Sequence, residues 1–104
     1  METETLLKII TALTTSNDKS PFKIGEKLFI RTVTHHLTGR VKDVSGKFLV
    51  LEDAAWIADD GRFANCIKDG ELNEVEPVPG LVRVNTESFV DVFEWNHPLP
   101  REQK

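Results

Sequence analysis

The segment Lys47–Phe63, with the sequence KFLVLEDAAWIADDGRF, decides how the rest of the chain is interpreted. It opens with a continuous apolar run, Phe48–Leu51, turns acidic, and becomes apolar again over Ala54–Ile57. A second acidic pair and a glycine follow at Asp59–Gly61. A short apolar run bounded by turn residues is typical of a strand that is buried on both faces. We therefore predict a central strand over Phe48–Leu51 that can continue to Ile57.

Two strands are predicted before this segment. Lys27–Thr34 is rich in β-branched and aromatic residues, and Leu37–Lys42 alternates apolar with polar side chains that are expected to face solvent. A glycine inside a strand, here Gly39, predicts a bulge or a sharp bend, as small barrels require. The turn Val44–Lys47 joins the second strand to the central strand, because Gly46 accepts a positive φ.

A helical insertion and further short strands are predicted after the central strand. Residues 58–71 break the strand pattern, and Phe63, Cys66 and Ile67 fit a short helix with Gly70 as its C-cap. The predicted strands that follow are Leu72–Glu76, Leu81–Asn85 and Ser88–Phe93, with Phe89 facing away from Val90 and Val92. An extended tail is expected over residues 96–104, because each proline keeps its predecessor out of the helical region.

The start of the chain is predicted to form an amphipathic helix over residues 3–14. Its apolar side chains recur at helical spacing and lie on one face: Leu6, Ile9, Ile10 and Leu13. A helix of this length is marginal alone and must dock its apolar face. The 104 residues are therefore interpreted as one domain, 1–104, with a barrel over residues 24–95. The predicted fold class is mostly β with an N-terminal helix.

Composition indicates an intracellular setting. The single cysteine, Cys66, permits no internal disulfide, and it is expected to be a buried small hydrophobe. No apolar run approaches the ~18 residues that cross a bilayer, and the acidic start lacks the basic region of a signal peptide. We expect a cytoplasmic protein with no membrane partner.

The net charge of −4 conceals an uneven distribution. Residues 21–52 carry six bases and three acids, whereas residues 53–104 carry five bases and eleven acids. Proteins that bind nucleic acid broadly have a basic surplus, which this chain lacks. Any nucleic acid must therefore bind at a local basic patch.

Neither a metal site nor an active site is predicted. The spacing of His35, His36, His97 and Cys66 matches no standard metal site. Adjacent acids such as Asp59-Asp60 are more often caps or solvated loop residues than catalytic pairs. The chain also lacks a glycine-rich phosphate loop and a nucleophile motif. We expect a protein that is not an enzyme and needs no cofactor.

The order of these elements resembles the Sm-like family, in which a helix precedes a strongly bent, open five-stranded barrel. Lys27–Ala54 resembles the first Sm motif, with Gly39 in the second strand and Leu-x-Asp-Ala at the end of the third. Leu81–Val92 resembles the second Sm motif. A narrower resemblance, carried by IRTVTHH, LEDAAWIADDGRF and HPLPREQK, is to small uncharacterised bacterial and phage proteins. The resemblance implies a fold and a ring.

The two loops that bind uridine-rich RNA in Sm proteins differ in this chain. Those loops carry an Asp-x-aromatic-Asn motif and an Arg-Gly pair, whereas here they read Val44–Lys47 and Asn85–Glu87. With no aromatic residue to stack a base, any RNA is expected to bind weakly and through phosphate. The residues predicted to contact RNA at a pore are Ser45, Lys47, Asn85 and Thr86.

Assembly is predicted from the last strand, which has no proline and can pair with a neighbouring chain. A homo-oligomeric ring of about five to seven subunits would result. The residues predicted at the subunit interface are Trp56, Phe89, Val90, Val92 and Trp95, and for both tryptophans a place in the core stays an equal alternative. The alternative function is a monomeric small-barrel adaptor that binds a protein partner.

Overall fold

The computed structural model describes residues 21–104, in which six strands form one antiparallel sheet and a short helix packs on it. The strands are β1 (Lys27–Thr32), β2 (His36–Ser45), β3 (Phe48–Asp59), β4 (Glu74–Pro77), β5 (Val82–Asn85) and β6 (Phe89–Glu94). The helix α1 spans Phe63–Asp69, and a 3₁₀ turn spans Thr86–Ser88. The predicted helix at residues 3–14 lies outside the described residues.

The strand order is β4-β3-β2-β1-β6, and β5 pairs with the other half of β3. Leu51 faces Val82 and Ala55 faces Pro77, so β4 and β5 follow β3 in nearly one register. They behave as one strand that is interrupted at residues 78–81. If β4 and β5 are counted as one strand, the sheet has five strands. The described residues confirm the predicted fold class, which is a mostly β, Sm-like bent open barrel with a short helical insertion.

The sheet bends where β2 crosses β3. Their register shifts twice, between Thr38 and Arg40 and between Val41 and Asp43. Asp53, in the first of these irregularities, has a positive φ of 51°. Such an irregularity turns a strand and changes which of its residues face one side. The bend predicted at Gly39 is confirmed.

Apolar side chains cover both faces of the sheet and form two clusters. The barrel cluster is built from the strands alone: Leu28, Ile30, Leu37, Val41, Leu49, Leu51, Ala54 and Val84. The helix-side cluster adds residues from α1 and from the tail: Phe29, Ala55, Ile57, Cys66, Leu72, Val75, Trp95 and Leu99. The insertion at residues 58–71 thus covers the second face of the sheet over the later part of β3, where Ala55 and Ile57 lie.

Helix α1 ends as its sequence predicts. Gly70 takes the left-handed conformation, with a φ of 76°, and its N–H contacts the carbonyls of Asn65 and Cys66. Cys66 is fully buried in the helix-side cluster, as expected for a small hydrophobe. At the other end of the helix, the ring of Phe63 contacts Phe93 of β6 edge to face, with centroids 5.2 Å apart.

Two details of the predicted faces are wrong. Thr38 was expected on a solvated face, but it is fully buried, because α1 and the tail cover that face. Phe89 was expected to face away from Val92, but both pack on the barrel cluster. The register between β1 and β6 shifts at Arg31, which leaves Val90 as an extra residue and brings Phe89 to the same face as Val92.

Candidate functional site

Besides β4, whose outer edge contacts Lys104, two strands of the sheet have an edge with no partner strand in residues 21–104. Strand β6 pairs only with β1, and β5 pairs only with β3. Each edge carries an apolar side chain in solvent, since Val90 on β6 is 60% exposed and Leu81 before β5 is 41% exposed. Unpaired strand edges with exposed apolar side chains favour the addition of another strand.

The hydrogen bonds of β6 show which backbone groups point away from the sheet. The N–H of Trp95 donates to the carbonyl of Lys27 at 3.0 Å, and the two residues are in register. In an antiparallel ladder such pairs alternate, so Phe93 also turns its N–H and C=O toward β1. Val92 and Glu94 therefore turn these groups outward, toward an incoming strand.

Of the predicted interface residues, Val90 lies on this open edge. Phe89 and Val92 are partly buried against the barrel cluster. Trp95 is 2% exposed, its ring stacks on Phe29 at 5.8 Å, and its Nε1–H donates to the carbonyl of Pro98 at 3.1 Å. The interface alternative for Trp95 is therefore wrong, because its own chain buries it.

Trp56 lies away from the β5 edge. It is 44% exposed and lies opposite Leu37 of β2 and Glu76 of β4. It helps to line a cavity of about 250 Å³ near the β1–β2 turn, together with Thr34, His35, His36, Ile57, Ala58, Asp59 and Asp60. Nothing in the described residues places it at the edges of β5 and β6.

The histidines and the cysteine do not form one cluster in the fold. His36 Nδ1 lies 3.0 Å from Asp60 Oδ2, whereas His97 Nε2 lies 2.8 Å from the carbonyl of Ile67 at the end of α1. Burial raises the pKa of the Cys66 thiol to about 11, and the charge of Asp60 adds to the effect. In residues 21–104 no group of three or more His, Cys, Asp and Glu side chains is placed to hold a metal ion.

The loops predicted to contact RNA lie side by side. The N–H and the hydroxyl of Thr86 both donate to the carbonyl of Lys47, at 2.8 and 2.9 Å. Ser45 pairs with Phe48 across the β2–β3 turn, and Phe48 pairs with Asn85 of β5. All four predicted residues therefore lie at one end of the sheet.

An acidic residue that was not among the predicted site residues, Glu87, also belongs to this group. Glu87 Oε2 lies 3.5 Å from Lys47 Nζ, and both side chains are about two-thirds exposed. The N–H of Glu87 also donates to Asn85 Oδ1 at 2.8 Å, so the amide oxygen of Asn85 caps the 3₁₀ turn. An asparagine at the N-cap with an acid in the first turn is a sequence signal of such a cap. The positive charge of Lys47 is therefore partly neutralised by Glu87 at this end of the sheet.

The only α-helix that the structure describes is α1, which has seven residues and is too short and too polar to cross a membrane.

The known proteins that this chain is similar to are solved structures. No protein-family model matches the chain, and no curated protein matches it. A heptameric archaeal Sm protein is 22% identical, with 68% of this chain and 87% of that chain covered and a TM-score of 0.48. The P. aerophilum SmAP1 heptamer is 21% identical, with 79% and 90% covered and a TM-score of 0.49. The Sm-like fold class of this chain follows from its strand order and its bend, as described above.

Proposed function

We propose that the chain forms a closed homo-oligomeric ring in which β6 of one subunit adds to β5 of the next. The observation that carries this proposal is the pair of open edges, each with an exposed apolar residue, Val90 on one and Leu81 on the other. Joining them would bury both side chains and would pair the outward groups of Val92 and Glu94.

The two edges are different surfaces, so the contact is head to tail. A head-to-tail contact repeats along the assembly, and it gives a ring when the rotation between neighbours closes and an open filament when it does not. We expect about five to seven subunits. Opposite charges support the pairing, because Arg83 of β5 and Glu94 of β6 are both exposed.

The proposed role of the ring is a non-enzymatic scaffold that also contacts RNA weakly. The loop pair around Lys47 and Thr86 would recur in every subunit, so single basic charges would be repeated around the assembly. The contact between Lys47 and Glu87 lowers the positive charge of each copy, which is the reason to expect weak binding. The alternative is a monomeric adaptor, in which the open edges take a strand from a different protein.

Solution mass separates the two proposals. A ring sediments with at least five times the 11.8 kDa of one chain at micromolar concentration. Val90→Asp places a charge on the β6 edge and should shift the protein to monomer. Val33→Asp is the matched control, since Val33 is 86% exposed in the β1–β2 turn and lies on neither edge. A monomeric mass for the unmodified chain would overturn the ring and favour the adaptor.

A further inference from the structure

The tail, residues 96–104, returns to the sheet and pairs with the edge of β4. The N–H of Val75 donates to the carbonyl of Lys104, and the N–H of Lys104 donates to the carbonyl of Val75, both at 2.9 Å. Such a reciprocal pair is the unit of an antiparallel ladder. One residue of the tail therefore forms an isolated backbone bridge to β4.

The hydrogen bonds of β4 explain why Val75 is the residue that is paired. The N–H of Val78 donates to the carbonyl of Ala54 at 2.8 Å, and Glu76 lies opposite Trp56 in the same register. Alternation along the ladder then turns the backbone groups of Val75 and Pro77 away from β3. Proline has no N–H, so Val75 holds the only outward donor of these two residues, and the tail occupies it.

Side chains hold the tail at three more places. Leu99 is buried in the helix-side cluster. Arg101 Nη2 lies 3.1 Å from Asp53 Oδ2 at the irregularity of β3, and Gln103 Nε2 donates to Glu76 Oε2 at 3.3 Å. The two polar contacts are exposed and are worth little individually.

Between these contacts the tail spans a cavity of about 490 Å³. Leu72 and Val75 line one wall, and the tail from His97 to Glu102 lines the other. The tail is thus attached at separate points and is not packed along its whole length. A segment attached in this way can leave β4 without disrupting either apolar cluster as long as Leu99 stays in place.

We propose that the tail closes β4 to strand addition, so that a second copy of the chain can add only at β5. This inference rests on the proposed ring. The interrupted strand path offers two outward edges, β5 beside Phe48–Leu51 and β4 beside Ala55–Asp59, on opposite sides of the irregularity at Asp53. If neighbouring subunits could add at either edge, the rotation from one subunit to the next would vary within an assembly, and the assembly would not close. When one edge is covered, only one contact geometry between subunits is left, and the assembly can close into a finite ring.

The test removes residues 101–104 and retains Leu99. The first readout is hydrogen exchange at the Val75 amide, which should become at least tenfold faster than in the full chain. The second is sedimentation, which should show species larger than the ring and of several sizes. The control is Lys68→Ala in the full chain, which removes an exposed charge on α1 and should change neither readout.

A milder variant guards against a truncated chain that fails to fold. Arg101→Ala with Gln103→Ala keeps the backbone pair, and it should raise exchange at Val75 by a few-fold with unchanged circular dichroism. Unchanged exchange at Val75 in both variants would overturn the proposal, and so would fast exchange with a single unchanged ring mass. Exchange is measured equally well on a monomer, so a monomeric full chain would contradict the ring separately.

Discussion

Gly39 of β2 lies directly against Leu51 of β3. A Cβ at position 39 would come within 3.0 Å of Leu51 Cβ and within 3.3 Å of Ala54 Cβ. Both neighbours belong to the barrel cluster, at the bend where the register of β2 and β3 shifts. The strong bend of the sheet thus depends on the missing side chain of one residue.

Gly39→Ala should therefore destabilise the protein. The added methyl has no space in a packed cluster, and the expected loss is about 1–3 kcal/mol of unfolding free energy. Urea denaturation followed by circular dichroism measures it. The comparison is Gly25→Ala, where a Cβ meets nothing within 4 Å and only the positive φ of 93° opposes the substitution. An unchanged midpoint for Gly39→Ala would show that β3 can move aside.

The ion pair between Arg31 and Asp91 makes the stability of the folded protein depend on pH. Arg31 donates two hydrogen bonds to Asp91, at 2.7 and 2.5 Å, and its guanidinium lies 4.8 Å from the centre of the Phe63 ring. The hydrogen bonds from Arg31 hold the pKa of the Asp91 carboxyl below its ordinary value of 3.8. A carboxyl whose pKa is lowered in the folded state stabilises the protein at pH values above its ordinary pKa. This contribution is lost as the pH falls from the ordinary pKa through the lowered one.

We expect Asp91→Asn to lose about 1 kcal/mol at pH 7, because a partly exposed bidentate pair is screened by solvent. The variant should also lose less stability than the unmodified chain between pH 4 and pH 2. Thermal unfolding across this range gives both values. Asp43→Asn is a control on the exposed end of β2, and parallel pH curves for the unmodified chain and Asp91→Asn would contradict the assignment.

Cys66 should be chemically inert in the folded protein. Its pKa of about 11 leaves almost no thiolate at neutral pH, and the side chain is fully buried. Iodoacetamide should label it only at denaturant concentrations that unfold the chain, as followed by mass spectrometry. Cys66→Ala should keep the ring and cost about 1 kcal/mol, with Cys66→Ser costing more because its hydroxyl is buried. Prompt labelling under native conditions would show that α1 opens easily.

Binding of short RNAs should depend on Lys47 and be opposed by Glu87. Lys47→Ala should abolish the weak binding, whereas Glu87→Gln should strengthen it by a few-fold by freeing the lysine. Binding should fall steeply as salt rises, with little difference between uridine-rich and mixed sequences. Lys42→Ala is the matched control, since Lys42 is an exposed lysine of β2 near Glu52. Salt-resistant preference for uridine-rich RNA would contradict phosphate-only contacts.

Local chemistry made much of this fold predictable. The β2–β3 turn and the end of α1 each depend on a glycine with positive φ, Gly46 and Gly70, within a few residues of the segments they join. The apolar run of β3 indicated burial on both faces, which Leu49, Val50 and Leu51 show, whereas Phe48 is 45% exposed and none of the four lies in the helix-side cluster. That the loops at Lys47 and Thr86 lie side by side was expected from the resemblance to the Sm-like barrel.

Other features depend on contacts that no local pattern records. Thr38 is buried because residues more than twenty positions away cover its face. The extra residue Val90 becomes visible only when β6 is aligned on β1. The pairing of Lys104 with Val75 uses backbone groups, which are the same in every residue, so side-chain patterns could not predict it.

The irregularity at Asp53 gives β3 a part in both apolar clusters. Leu49 and Leu51 belong to the barrel cluster, whereas Ala55 and Ile57, beyond the irregularity, belong to the helix-side cluster. Unfolding of either cluster would therefore displace a strand that also belongs to the other cluster. We therefore expect thermodynamic cooperativity: the barrel and its helical cover should unfold together, without a partly denatured state that keeps only one of them.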